Sequence, residues 1–191
     1  MSLAARNTWV GRVLVEELAR LQTPLVCLAP GARCAPLSMA LAAHPDLPWT
    51  TFVDERAAAF HASGVGRATE RPAVVVTTSG TAVGNLVPAA MEADRAGVPL
   101  LLLTADRPAD LRETGANQTV RQANVLASLV RVRVDLPASD PDLSLRAVLS
   151  TVDQAVRAAT TERGPVHLNL QFREPLGPED APVPASIAAW W

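Results

Sequence analysis

Two stretches of this chain, Ala73-Val74-Val75-Val76 and Leu100-Leu101-Leu102-Leu103, are unbroken apolar runs. A strand with one face in water alternates polar and apolar residues, so an unbroken run implies a strand covered on both faces, as in a parallel sheet between layers of helices. Strand-like runs occupy 25–29, 49–53, 73–78, 100–104, 129–134 and 166–170, and helical spacing fills 9–21, 37–43, 56–67, 83–95 and 143–161. Asn7 or Thr8 is placed to cap the first helix, and Pro88, one turn into the fourth, should kink it or end its regular hydrogen bonding. The alternation of helix and strand predicts an α/β fold, a three-layer α/β/α arrangement around a parallel sheet of roughly six strands.

With 191 residues, 49% of them hydrophobic, the chain can close one domain around a sizeable core. A net charge of -2 gives no electrostatic footprint for nucleic acid, and no apolar run is long enough for membrane insertion. Residues 1–8 lack the charged-then-apolar pattern of an export signal, so a cytoplasmic protein acting on small molecules is expected. All 17 basic residues are Arg, which with abundant Ala and Pro reflects codon bias and weakens any single arginine as a sign of anion recognition. Cys27 and Cys34 match neither a metal pair nor a redox motif and are expected to be free thiols. From Pro175 the composition turns to that of a linker, yet it ends on Trp190-Trp191, which at a free end would leave apolar surface in water. The expected organisation is a folded domain over 1–175 and a linker over 176–191 leading toward a further domain.

Ligands of parallel α/β sheets bind beyond the carboxyl ends of the strands, and four loops there carry polar chemistry. The first, Ala29-Pro30-Gly31-Ala32-Arg33-Cys34, combines a turn with one arginine, and by itself reads equally as a strand-to-helix turn. In the second, Asp54-Glu55-Arg56, Asp54 suits a helix cap and Arg56 an exposed partner, whereas Glu55 is costly to bury without a hydrogen bond. A structural salt bridge and a functional carboxylate both remain open for Glu55. The third, Thr77-Thr78-Ser79-Gly80-Thr81-Ala82-Val83-Gly84-Asn85, aims amides and hydroxyls above the sheet, but is neither a P-loop nor a nucleophile elbow. The fourth runs from Thr104-Ala105-Asp106-Arg107-Pro108 through Gly115-Ala116-Asn117-Gln118 to Gln122 and is the densest polar cluster of the chain. His44, His61 and His167 form no catalytic or metal set, and structural roles are expected for them. Gly64-Val65-Gly66 follows a helix rather than a strand, which argues against a dinucleotide fingerprint.

Taken in order, Ala29-Pro30-Gly31-x-Arg33, Phe52-x-Asp54-Glu55-Arg56, Thr78-Ser79-Gly80-Thr81-Ala82-x-x-Asn85, Thr104-Ala105-Asp106-Arg107-Pro108 and Gly115-Ala116-Asn117-Gln118 resemble one thiamine-diphosphate enzyme family. The resemblance, over about 7–175, is to the N-terminal pyrimidine-binding domain of the 2-succinyl-5-enolpyruvyl-6-hydroxy-3-cyclohexene-1-carboxylate synthases of menaquinone biosynthesis. It implies that Glu55 is catalytic, hydrogen-bonding N1′ of the cofactor's aminopyrimidine. The apolar 57–60 stretch would raise its proton affinity and the helix N-terminus would oppose that. It further implies cofactor contacts from Pro30, Thr81 and Gln118, and substrate contacts from Arg33, Arg107, Asn117 and Gln118. The implied reaction is a transferase step: decarboxylation of 2-oxoglutarate and addition of the succinyl-semialdehyde carbanion to isochorismate, on thiamine diphosphate with magnesium (Mg2+) or manganese.

Two departures qualify the resemblance. Ala32 stands where the family usually has Ser, so one hydroxyl contact to substrate is missing. The Asp-Gly-Asp run that binds the diphosphate metal in the family is also missing, so no metal ligand is assigned. The implied active site is shared between subunits of a homo-oligomer, with this chain inactive alone and associating through an apolar face. Alternatives are a stand-alone non-catalytic binding domain or another thiamine-dependent 2-oxo acid carboligase or decarboxylase.

Overall fold

The computed structural model describes residues 1–138 and 143–191 and carries six strands in one sheet. The chain runs α1 (Leu3–Arg20), β1 (Val26–Ala29), α2 (Ala35–Ala43), β2 (Trp49–Thr51), α3 (Glu55–Thr69), β3 (Ala73–Thr77), α4 (Thr81–Gly84), α5 (Val87–Ala96), β4 (Leu100–Asp106), β5 (Arg133–Leu136), α6 (Leu145–Thr161) and β6 (Pro165–Gln171). The strands lie in the order β2-β1-β3-β4-β6-β5, and every neighbouring pair is parallel.

Alternation along the buried strands sorts side chains into two cores. Val26, Leu28, Val74, Val76, Leu101 and Leu103 meet α1, α2 and α6 on one face. Cys27, Ala73, Val75, Leu100 and Leu102 meet the alanine-rich faces of α3 and α5 on the other. The unbroken apolar runs are thus a consequence of burial from both sides. β6 differs: Val166, Leu168 and Leu170 join the first core, while His167, Asn169 and Gln171 present a buried polar row to the opposite face.

Several boundaries move. α1 begins at Leu3, capped by the Ser2 hydroxyl, which accepts from the Ala5 amide at 3.1 Å. Asn7 and Thr8 lie inside the helix: Asn7 is fully buried and its Nδ2 donates to the carbonyls of Arg173 (2.7 Å) and Pro175 (3.0 Å). The small residues Ala4 and Ala5 are buried and extend the apolar face beyond Trp9. The fourth helical stretch divides at Leu86, and Pro88 falls in the first turn of α5, where its missing N–H has no intrahelical partner to lose. β5 starts at Arg133 rather than 129, because Leu126 and Leu129 turn inward against the second core before the chain reaches the sheet.

The final residues fold back on the first layer. Ile187 is buried in the first core, the Trp190 indole N–H donates to Glu17 Oε2 at 3.1 Å, and Arg20 stacks on the Trp190 ring at 4.4 Å. Trp191 meets Trp9 edge-on, with centroids 5.0 Å apart. The two tryptophans therefore pack on α1, Trp190 partly buried and Trp191 still 43% exposed. Among the described residues no helix is long and apolar enough to cross a membrane.

Candidate active site

From β1 the chain moves outward to β2 and then returns across β1 to β3, so the switch point of this sheet lies between β1 and β3. The loops leaving these strands diverge there and open a crevice. Their approach is close: a Cβ on Gly31 would sit 2.5 Å from Thr78 Cβ, so the first loop requires glycine for space. Gly31 has φ of -168°, ordinary extended backbone, so the constraint is steric rather than conformational.

Glu55 is the first residue of α3 and is half-buried. Asp54 caps that helix, its carboxylate accepting from the Arg56 amide (2.8 Å) and from the Arg56 guanidinium (2.9 Å). The ion pair of this loop is thus Asp54–Arg56, and the hydrogen bonds of Arg56 hold the Asp54 carboxyl down at about 2. Glu55 instead accepts from the neutral Asn85 Nδ2 at 2.8 Å, across the crevice from the third loop. A salt-bridge role for Glu55 is therefore absent among the described residues. Val53 is fully exposed, Phe60 is 47% exposed and Ala57 also faces solvent, whereas Ala58 and Ala59 are buried, so the apolar stretch beside Glu55 is open on one side only.

Arg33 and Arg107 are both buried and close enough to repel one another. Arg33 Nη1 donates to the Phe172 carbonyl and Nη2 to Glu174, each at 2.9 Å, while its Nε is buried without a partner. Arg107 Nη1 donates to the Ser79 hydroxyl and to the Gln118 carbonyl (2.8 Å). Burial and then Arg33 pull the Arg107 guanidinium below its ordinary value, with Asp106 and Glu174 opposing. A guanidinium stays charged in such a setting, and among the described residues Arg107 forms no ion pair, so the two arginines together constitute positive charge that only Glu174 at Arg33 pairs directly.

Gln118, at φ of 55°, folds over the Gly80 turn: its Nε2 donates to the Ser79 carbonyl at 2.9 Å, and a Cβ on Gly80 would meet it at 2.8 Å. Gly80 itself has φ of 80°, a left-handed conformation that glycine adopts freely. Thr81 opens α4 and is exposed, as are Pro30 and Asn117; no side-chain hydrogen bond joins these three to the cluster. The structure thus brings Glu55 to Asn85, Arg33 near Arg107, and Arg107 to Gln118, with Pro30, Thr81 and Asn117 at the rim.

Behind the loops lies a buried polar network. Asn169 Oδ1 accepts from Thr104 Oγ1 (2.9 Å) and Gln122 Nε2 (2.8 Å), and its Nδ2 donates to Asp106 (2.9 Å) and Asp135 (2.8 Å). Arg112 bridges Asp106 and Asp135 at 2.9 and 2.8 Å. Burial pushes the Asp106 carboxyl up against the hydrogen bond from Asn169, whereas at Asp135 bonds from Arg112, Asn169 and Gln171 outweigh burial and hold it down. The Asp106 carboxylate accepts the Arg107 amide at 2.7 Å, so this network sets the backbone from which Arg107 reaches the crevice. Asn85, Ser79, Gln122 and Asn169 were not assigned roles from sequence; Asn85 and Gln122 stand at the ends of the third and fourth motifs, which was the available signal.

A separate cleft of about 730 Å³, lined by Asp106, Arg112, Thr119, Arg121, Gln122 and Asn124 among others, does not include Glu55, Arg33 or Arg107. Cys27 and Cys34 are free and buried, and burial pushes the Cys27 thiol up to about 11. No three His, Cys, Asp or Glu side chains converge on a metal position among the described residues.

A parallel sheet that presents a helix-start carboxylate, a facing amide and two buried guanidiniums around its switch point is the frame of a cofactor-binding domain. The family model for the thiamine pyrophosphate enzyme N-terminal TPP binding domain matches residues 8–125, which include all of these loop residues, and the chain belongs to this family. Its relatives are 2-succinyl-5-enolpyruvyl-6-hydroxy-3-cyclohexene-1-carboxylate synthases. The protein of that name from Rubrobacter xylanophilus is 53% identical over 178 residues, covering 93% of this chain and 31% of the relative. Those of Pelodictyon phaeoclathratiforme and Salinibacter ruber are 47% and 48% identical over 185 and 184 residues, covering 96% and 94% of this chain. The chain spans about 31% of the length of these relatives.

Proposed function

We propose that this chain supplies the pyrimidine-binding side of a thiamine-diphosphate-dependent carboligase that decarboxylates 2-oxoglutarate and joins the product to isochorismate, a transferase step of menaquinone biosynthesis. The observation that carries the proposal is the Glu55 carboxylate at the start of α3, half-buried and held, among the described residues, by a single hydrogen bond from Asn85 to its Oε2. When bound, thiamine diphosphate supplies the carbon nucleophile and electron sink of the reaction. Glu55 holds or releases a proton at the pyrimidine N1′, and Asn85 fixes the carboxylate rotamer for that exchange. Exposed Val53 and Phe60 support closure of this side by a second surface, which would lower the dielectric around Glu55. Pro30, Thr81 and Gln118 form the rim against which the ring rests.

Substrate recognition falls to Arg33 and Arg107. Both substrates carry carboxylates, and the buried, unpartnered Arg33 Nε together with the Arg107 guanidinium provides charge-assisted donors for them. Asn117 and Gln118 add neutral amides at the rim, and Ala32 lowers the donor count by one hydroxyl. Among the described residues no three metal-ligating side chains converge; in this reading metal and diphosphate are held by the complementary part of a cytoplasmic homo-oligomer whose active site is shared between subunits.

A chimera tests this reading: the N-terminal third of the Rubrobacter xylanophilus relative is replaced by this chain and assayed with 2-oxoglutarate and isochorismate. Carbon dioxide release and isochorismate consumption are expected, both lost in Glu55→Gln, which keeps shape and hydrogen bonding but cannot exchange a proton. A folded, cofactor-binding chimera that turns over neither substrate contradicts it.

A further inference from the structure

The Gly80 turn and the Arg107 segment leave adjacent strands, β3 and β4, and neither is held by sheet hydrogen bonds beyond Thr77 and Asp106. Something must fix one relative to the other if Arg107 is to meet Ser79. One fully buried side chain touches both: Gln122 Oε1 accepts the Gly80 amide at 2.8 Å, and its Nε2 donates to the Ala105 carbonyl at 2.9 Å and to Asn169 Oδ1 at 2.8 Å. The amide orientation is fixed by chemistry. Nε2 faces two acceptors and Oε1 faces an N–H, and Asn169 cannot reverse because its Nδ2 meets two carboxylates.

We propose that Gln122 is a positioning residue that locks the Gly80 turn to β4 and thereby sets the Arg107–Ser79–Gln118 contact of the anion subsite. The Gly80 amide is buried and, among the described residues, its hydrogen bond goes to Gln122 Oε1, so without that oxygen the turn must open to water. Opening moves Ser79 away from Arg107, and Gln118, whose Nε2 is bonded to the Ser79 carbonyl, moves with it. The action on ligand rests on the reading of Arg107 as a carboxylate-binding group; the action on the turn does not.

The test uses the 191-residue chain, with amide exchange followed by NMR and 2-oxoglutarate as the probe. In Gln122→Met, which fills the same space without polar atoms, Gly80 exchange should accelerate at least tenfold while the Val74 to Val76 amides keep their protection. Gln122→Glu supplies a signature that a mere packing role would not give. Its protonated form reproduces both the acceptor and one donor, so Gly80 protection should be near wild type at low pH and decline as the ionised carboxyl, having lost its donor, is repelled by the Ala105 carbonyl and Asn169 Oδ1. Unchanged Gly80 exchange in Gln122→Met, or loss spread equally over β3, overturns the proposal. A weakening of 2-oxoglutarate binding is expected in both Gln122→Met and Arg107→Gln. If Arg107→Gln binds like the wild type while Gly80 responds as stated, the carboxylate reading fails and the positioning role stands.

Discussion

His167 offers a quantitative test of the network behind the site. It is fully buried on β6, with Nε2 2.7 Å from Thr104 Oγ1. Thr104 has one hydroxyl proton, and Asn169 Oδ1 at 2.9 Å, which can only accept, takes it. The Thr104 oxygen must then accept from His167, so the ring is the neutral Nε2–H tautomer with a buried, unpartnered Nδ1. Burial, reinforced by Arg133 and opposed by Asp135, depresses the ring from 6.5 to about 4. Below 6.5 the unfolded chain binds a proton that the folded chain refuses until about 4. Stability must therefore fall as pH drops through this window, and the contribution is constant above it. The gap from 6.5 to about 4, at about 1.4 kcal/mol per unit, amounts to about 3.5 kcal/mol, of which about 3 kcal/mol is lost by pH 4. Urea unfolding of wild type and His167→Gln from pH 7.5 to 4 measures it, because titrations shared by both proteins cancel in the difference. The wild-type advantage should shrink by about 3 kcal/mol across that range. Parallel stability curves, or an imidazole that titrates near 6.5 in the folded chain by NMR, would refute the reasoning.

Arg107→Met should raise the stability of the ligand-free chain by about 1 kcal/mol, since a buried guanidinium lacking an ion pair is replaced by an apolar stem, and should weaken 2-oxoglutarate binding at least tenfold. A calorimetric melt and a binding titration read the two effects; a destabilised variant contradicts this account of Arg107. Gly31→Ala should cost about 1–3 kcal/mol by forcing a Cβ to 2.5 Å from Thr78, and Thr78→Gly in the same chain should recover most of it. By contrast Gly64→Ala, inside α3 with nothing within 4 Å, should gain about 0.5–1 kcal/mol. Equal effects of the two alanines on thermal melting would show that the first loop is not sterically constrained.

Sequence legibility followed burial. β3 and β4 were readable because both faces of each are enclosed, leaving no polar position to blur the run. β2 is two residues shorter than its strand-like run because it is exposed at every position, so solvent and not packing sets its end. The start of α1 was hidden because Ala4 and Ala5 bury little area each, yet suffice to extend the helix. At the site, the motifs name Glu55, Arg33, Arg107 and Gln118, which the structure places at the strand ends around the crevice, but not their hydrogen-bond partners. Arg33 meets Phe172 and Glu174, and Gln122 meets Asn169, through a sheet order that places β6 beside β4. Local spacing carries no information on such pairs. Apolar character alone implies that residues 57–60 enclose Glu55, whereas the helix buries Ala58 and Ala59 and turns Ala57 and Phe60 outward.

The central claim is that Glu55, presented through Asn85, is the contact for the cofactor's pyrimidine. The most direct measurement is an NMR titration of the chain with thiamine diphosphate and Mg2+, beside Glu55→Ala. Weak binding is predicted, with shifts confined to Glu55, Asn85 and the Gly31 and Gly80 turns, and lost in the variant. Shifts centred elsewhere, or binding unchanged by Glu55→Ala, would contradict the account.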